Sequence, residues 1–233
     1  MRIAIMQPYF LPYIGYFQLI NAVDFFVVYD DIKYTKKGWF NRNRILYNGK
    51  DSMFTVPIKK GSDSLYVRDR YLANNHISEV KRILRKIELY YSKAPYYDKV
   101  IDMIKDCFLY KNDNLFNYIY NSIQIISSFL NIDTKILISS NVGNTTLCKG
   151  GDRVVKLCKL LNANIYINSI GGVDLYSKDY FRKYGLTIFF LKPKSIQYRQ
   201  YKNIFVPNLS IVDVLMFNPI DKIHNMLLEY ELV

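Results

Sequence analysis

DRVVKLCKLLNANIYINSIGGVDLYSKDYFRKYGLTIFFL, residues 152–191, alternates two hydrophobic rhythms. Residues 152–161 repeat apolar side chains at helical spacing, 164–167 form a short apolar run, 175–184 suit a helix again, and 186–191 form a second run of strand length. Working outward, residues 135–138 add a strand before this stretch. At the start of the chain, residues 2–6 and 23–29 (VDFFVVY) read as two more strands, with a helix over 13–22 between them. The runs are apolar throughout rather than alternating, as in strands covered on both faces. A helical region follows from Ser210. Strand and helix in alternation predict an α/β fold with a mostly parallel sheet flanked by helices.

The middle of the chain breaks this rhythm. Residues 44–47 and 53–58 flank Asn48-Gly49, a pair that tolerates positive φ and predicts a two-stranded ribbon. Residues 76–131 turn helical, with Val80, Ile83, Leu84, Ile87 and Tyr91 along one face and further helices after Pro95 and after Asn112. No linker rich in Gly, Pro or Ser divides the chain, and no repeat is visible. The expectation is a single α/β domain over 1–233 with a helical insertion at about 76–131.

A chain of 233 residues with 50% hydrophobic content can bury a core of its own. No apolar run reaches the roughly 18 to 20 residues of a membrane span. The opening MRIAIMQPYF meets Gln7 and Pro8 too soon for a secretory signal, so a cytoplasmic protein without membrane insertion is expected. The three cysteines, Cys107, Cys148 and Cys158, show no CxxC spacing, which favours free thiols over a disulfide framework or a metal site. The net charge of +12 draws anions. Abundant Lys, Asn, Ile and Tyr also match an AT-rich coding bias. Because the basic residues are scattered, the pattern points to a small anionic ligand rather than nucleic acid or an anionic membrane.

Chemistry concentrates in three segments. In Gln7-Pro8-Tyr9-Phe10-Leu11-Pro12-Tyr13-Ile14-Gly15-Tyr16-Phe17, two prolines stiffen the loop after the first strand and Gly15 permits a close approach at a helix start. Ligands of open α/β sheets bind outside the carboxyl ends of the strands, which makes Gln7, Tyr9 and Tyr13 binding candidates. The second segment, residues 30–43, places Asp30 and Asp31 at a strand end, followed by Lys36, Trp39, Asn41, Arg42 and Asn43. Its carboxylates accept from sugar hydroxyls or an ammonium, its cations and amides suit phosphate, and Trp39 offers a stacking face. An N-cap beside a solvated charge run is the plainer account of the same residues. In the third, Asn168, Ser169, Gly171 and Gly172 lie between a strand and a helix, where backbone N–H groups can bind a phosphate or carbonyl oxygen.

Asp213 sits in an apolar helical pattern and, if buried, needs a partner: a Lys or Arg network and a catalytic role are both open. His76 is a general-base candidate, whereas His224 reads as a packing histidine. The chain has no HExxH, GxSxG, Walker or GxGxxG motif.

The loop after the first strand is similar to the opening of nucleotidylyltransferases, but Tyr13-Ile14-Gly15-Tyr16 stands where that family has His-x-Gly-His, so the imidazole contacts are missing. A fuller resemblance is to the WbqC-like family. The QPYFLPYIGYF start, the acidic pair and the K-K-G-W-F-N-R-N segment all resemble that family's pattern. So do Val56-Pro57, Lys59-Lys60-Gly61, Tyr91 with Ala94-Pro95, Tyr198-Arg199-Gln200 and residues 205–215. No functional residue is carried into positions 62–90 by it. The genes of this family lie among those for O-antigen and other surface polysaccharides, so the resemblance implies work on activated sugars and adds Gln200 to the binding candidates. With the charge, it leads to the expectation of a transferase on a nucleotide-linked sugar: an N-acetyltransferase using acetyl-CoA as co-substrate and a dTDP-amino-deoxysugar, without metal. In that reaction Asp30 and Asp31 would hold the amine and the glycine-rich loop would take the oxyanion. Two alternatives stand beside it. One is a glycosyl- or nucleotidyl-transferase in which Asp30 and Asp31 bind a divalent cation. The other is a non-catalytic carbohydrate-binding or assembly protein.

Overall fold

A computed structural model describes residues 1–202 and 204–233. β1 (Arg2–Met6), α1 (Ile14–Asn21) and β2 (Phe25–Val28) form the first crossover, with β1 and β2 parallel. The hairpin β3 (Arg42–Tyr47) and β4 (Lys50–Thr55) follows, then α2 (His76–Tyr91), α3 (Tyr97–Phe108) and α4 (Leu115–Phe129). The rhythm resumes with β5 (Lys135–Ile138), α5 (Ser139–Val142), α6 (Gly150–Leu160), β6 (Ile165–Ser169), α7 (Lys178–Arg182) and β7 (Thr187–Pro193). α8 (Ile211–Phe217), α9 (Ile220–Leu227) and β8 (Tyr230–Leu232) end the chain.

The main sheet runs β5-β2-β1-β6-β7-β8, parallel except for β8, while β3 and β4 form a ribbon of their own. Its central strands β2, β1, β6 and β7 are largely buried on both faces because each face is covered. Ile3, Ile5 and Val27 pack with Val154, Leu157 and Cys158 of α6 and Phe181 of α7. Ala4, Phe26 and Val28 point the other way, into a larger core shared with Tyr16 and Phe17 of α1 and with the α2–α4 layer. From β1 the chain winds to one side through β2 and β5, then returns to the other side through β6 and β7. That reversal opens a crevice at the carboxyl ends of β1 and β6, the position where open α/β sheets bind ligands.

Three sequence expectations change. The helix expected over 175–184 is a 3₁₀ segment, Ile170–Leu175, followed by the five-residue α7. Ser177 accepts from the Tyr180 N–H and so caps a fresh start, while Gly185 at φ 75° ends the chain's helical path. The second ribbon strand stops at Thr55 instead of continuing to residue 58, since Pro57 has no N–H to donate. β8 was not anticipated, because a three-residue edge strand carries almost no pattern. Gln18 of α1 pins the turn before it by donating to the carbonyls of Met226 (2.8 Å) and Glu229 (3.0 Å).

Candidate functional site

At the carboxyl end of β1 the chain turns through Gln7–Leu11, and Leu11 takes a left-handed conformation, φ 44°. A leucine there is strained and persists only where its surroundings hold it. Asn43 Nδ2 donates to the carbonyls of Leu11 (2.8 Å) and Phe10 (3.3 Å), and the Ser210 hydroxyl donates to Leu11 at 2.7 Å. Beside this turn opens a cleft of about 290 Å³ walled by Tyr9, Pro12, Tyr13, Trp39, Asn43 and Arg44, with Asn208 at its end. Arg44 and Arg42 lie 5.4 and 5.7 Å from the Trp39 ring, and Arg44 is also bound to Asp51 at 3.2 Å. Burial raises the Tyr9 and Tyr13 hydroxyls above the ordinary phenol value, so both remain neutral hydrogen-bonding groups. Tyr9 donates to Gln7 Oε1 at 3.1 Å, which sets the exposed Gln7 at the margin.

Tyr13 and Asn208 also line a second lobe of about 340 Å³, formed by Lys194, Ser195 and Tyr198 from the chain after β7 and by Val214 of α8. Gly15 makes this sharing possible: a Cβ there would lie 2.3 Å from the Tyr13 ring, which folds back over the start of α1. Behind the lobe lies Asp213, fully buried. Its expected Lys or Arg partner is replaced by neutral donors: Tyr198 and Gln200 bond Oδ2, both at 2.6 Å, and Tyr91 bonds Oδ1 at 2.8 Å. Gln200, expected at the ligand, is 1% exposed and spends its amide on Asp213 and Val206.

The acidic pair sits at the end of β2 in a separate buried cluster. The Ser139 hydroxyl, at the start of α5, lies 2.7 Å from Asp30 Oδ1 and 2.6 Å from Asp31 Oδ1, one proton shared between the two carboxylates. Arg153 of α6 pairs with Asp31, its guanidinium 4.4 Å from the Tyr29 ring, and Arg68 pairs with Asp30 at 3.3 Å. Burial alone would raise the Asp30 carboxyl, but hydrogen bonds from Ser139 and Ser140 outweigh it and hold the group below its ordinary value. These carboxylates tie the ends of β2 and β5 to α6.

The remaining candidates scatter. Asn41 is consumed by Val56 (2.7 Å) and Tyr34 (3.0 Å), and Arg42 donates to Gly38 at 2.9 Å. Lys36 is exposed and pairs with Asp63 at 3.4 Å. His76 has Ala73 and Asp113 as partners and meets neither the acidic pair nor the cleft lining. Asn168 and Ser169 end β6, with Asn168 Oδ1 accepting from the Ser169 N–H. A Cβ at Gly172 would displace the Asn168 amide, whereas Gly171 faces open space. His224 packs, bonded to the Leu130 carbonyl at 2.9 Å. Tyr9, Tyr13, Trp39 and Asn43 therefore meet in one cleft, and sequence reasoning missed Arg44, Asn208, Tyr198 and Arg153. Arg44 extends the Asn-Arg-Asn triplet by one residue on the same strand, a legible signal; Tyr198 and Asn208 lay in segments already matched to the family pattern, and Arg153 had no signal. No group of His, Cys, Asp and Glu among the described residues could hold a metal ion, and no helix among them is long and apolar enough to cross a membrane.

Comparison with known proteins finds similarity over most of the chain. The WbqC-like protein family matches residues 7–225. The chain is 30% identical over 225 residues to the uncharacterized protein Rv1507c of Mycobacterium tuberculosis, covering 93% of each chain. No solved structure matches it. With the strained proline loop, the Trp39 segment and the Tyr198–Asp213 region all inside the matched span, the chain belongs to the WbqC-like protein family.

Proposed function

We propose that this protein is a transferase of O-antigen and surface-polysaccharide biosynthesis that acts on a nucleotide-linked sugar. Most concretely, it moves the acetyl group of acetyl-CoA to the amine of a dTDP-linked amino-deoxysugar. The observation that carries the reading is Trp39 beside Arg44 in a cleft at the switch point of the sheet. A base stacks on the indole, the guanidinium meets the diphosphate, and Tyr13 bonds the sugar. The sugar then reaches past Tyr13 into the second lobe, where Lys194 at the rim supplies a cation for the donor's phosphates. In the transfer the amine loses one proton, the thioester C–S bond breaks, and CoA leaves as the thiol. Bringing both substrates together supplies much of the acceleration such a reaction needs.

Trp39 is the chain's single tryptophan, so intrinsic fluorescence reports directly on the cleft. Titration with dTDP and dTDP-sugars is expected to change Trp39 emission saturably, and mixing acetyl-CoA with a dTDP-amino-deoxysugar is expected to release free thiol. An emission unchanged at millimolar dTDP removes the nucleotide reading. A second reading, a non-catalytic sugar-binding protein, is favoured by one observation: Asp30 and Asp31 are already bonded within the protein. Saturable binding with no turnover of any acyl donor selects it.

A further inference from the structure

Asp213 is the one carboxylate beside the cleft whose charge nothing cancels. It is fully buried, and among the described residues no lysine, arginine or histidine pairs with it. Neutral donors stabilise a buried carboxylate without neutralising it, so its field persists in the low-dielectric wall of the second lobe. Tyr198 connects the two: its ring lines the lobe and its hydroxyl donates to Asp213 at 2.6 Å. A phenol that has given its proton to a carboxylate keeps its oxygen lone pairs, made more electron-rich by that bond, for an incoming donor.

We propose that Tyr198, positioned by Asp213, is the element of the second lobe that recognises a protonated amine on a sugar. This rests on the reading of the cleft as a sugar site, and it assigns the amine to a different carboxylate from the one the sequence suggested. Asp31 is matched with Arg153, whereas Asp213 has no counter-cation of its own. Lys194 does not oppose the assignment, because it is half-exposed at the rim with Glu229 at 3.9 Å. Burial holds the Asp213 carboxyl above its ordinary value even against the bonds from Tyr198, Gln200 and Tyr91. An ammonium arriving at Tyr198 relieves that penalty and favours the ionised form. The Tyr198 hydroxyl is itself raised by burial and then by Asp213, so it stays protonated towards the carboxylate.

The test uses free sugars, so that it does not depend on nucleotide binding. Methyl glycosides of 6-deoxyhexoses carrying an amine at C3 or C4, each beside its hydroxyl counterpart, are titrated into the full chain by saturation-transfer NMR. The wild type is expected to prefer one amine over its hydroxyl partner by about tenfold, the scale of one hydrogen bond to a charged group. Tyr198→Phe, which keeps the ring and leaves Asp213 with two donors, is expected to abolish the preference while lowering the melting temperature only by the few degrees that one lost hydrogen bond costs. Asp213→Asn is expected to do the same where it folds. No amine preference in the wild type, whether through equal binding or none, overturns the proposal, and so does a preference that survives Tyr198→Phe. Failure of dTDP to perturb Trp39 bears only on the first lobe.

Discussion

Asp31 and Asp213 are both buried carboxylates, yet their partners give them opposite consequences. Removing the charge of Asp31 leaves the largely buried Arg153 guanidinium without its counter-ion. Asp31→Asn is therefore expected to lower folding stability by about 3–5 kcal/mol, read from urea unfolding midpoints. A midpoint within error of the wild type would show that solvent already screens Arg153. The pH dependences also differ in sign. Asp30 is held below the ordinary carboxylate value of 3.8, so its contribution is present above that value and is lost as pH falls through the lowered one. Asp213 is raised, so the folded state binds its proton more tightly than the unfolded chain does. Its contribution is fully present below 3.8 and is lost as pH rises through the raised value. Stability of the wild type relative to Asp213→Asn should accordingly fall with rising pH across that window. A difference that grows with pH would mean the carboxylate, not the acid, is the form the fold favours.

The β3–β4 ribbon is the element on which the cleft depends, since β3 carries both Asn43 and Arg44. It lies outside the main sheet and is fastened by the Ser210 N–H, which donates to the Arg44 carbonyl at 2.8 Å, and by side chains. The Tyr91 hydroxyl of α2 accepts from the Leu46 N–H at 2.8 Å while donating to Asp213. Tyr91→Phe leaves that buried N–H unpaired, which costs about 1–3 kcal/mol. Because the ribbon and the Asp213 network loosen together, the substitution should also weaken the response of Trp39 to dTDP. A stability loss with an unchanged Trp39 titration would show that the ribbon holds its position without this anchor. At the ribbon tip Gly49 sits at φ 72°. Gly49→Ala is expected to lose about 1 kcal/mol from the cost of a left-handed alanine, measurable by the same unfolding experiment.

For the whole molecule, the excess of positive charge is expected to act at long range and Arg44 at short range. Exposed charges are screened over about 8 Å at physiological ionic strength and about 3 Å at 1 M salt. Affinity for dTDP should thus fall several-fold from roughly 0.05 to 0.5 M salt. A salt-independent affinity would assign recognition to stacking on Trp39 and to neutral hydrogen bonds. The sheet order supplies the setting: with β1 central and the winding reversed beside it, the loops after β1, β2 and β6 all emerge on one edge. The cleft occupies only the part of that edge where the β1 loop meets the ribbon and the chain after β7.

The sequence by itself determined what short-range pattern can carry. The apolar runs at residues 2–6 and 164–167 and the helical spacing at 152–161 became β1, β6 and α6, because strand and helix periodicity act within a few residues. Asn48-Gly49 became the ribbon turn because only local φ preference is at stake. Tyr9, Tyr13, Trp39 and Asn43 were legible as neighbours because they crowd two short stretches that follow strand ends. Tertiary structure alone decided which polar residues were left free for a ligand. Asp31 met Arg153 122 residues away, and Asn41 was taken by Val56 and Asn43 by the Phe10 and Leu11 carbonyls, although the Arg44 side chain reached the cleft. Gln200 closed on Asp213 and left Tyr198 facing the lobe. A buried polar group must find a partner wherever the packed chain brings one, and no local pattern encodes a pairing set by the closure of long loops.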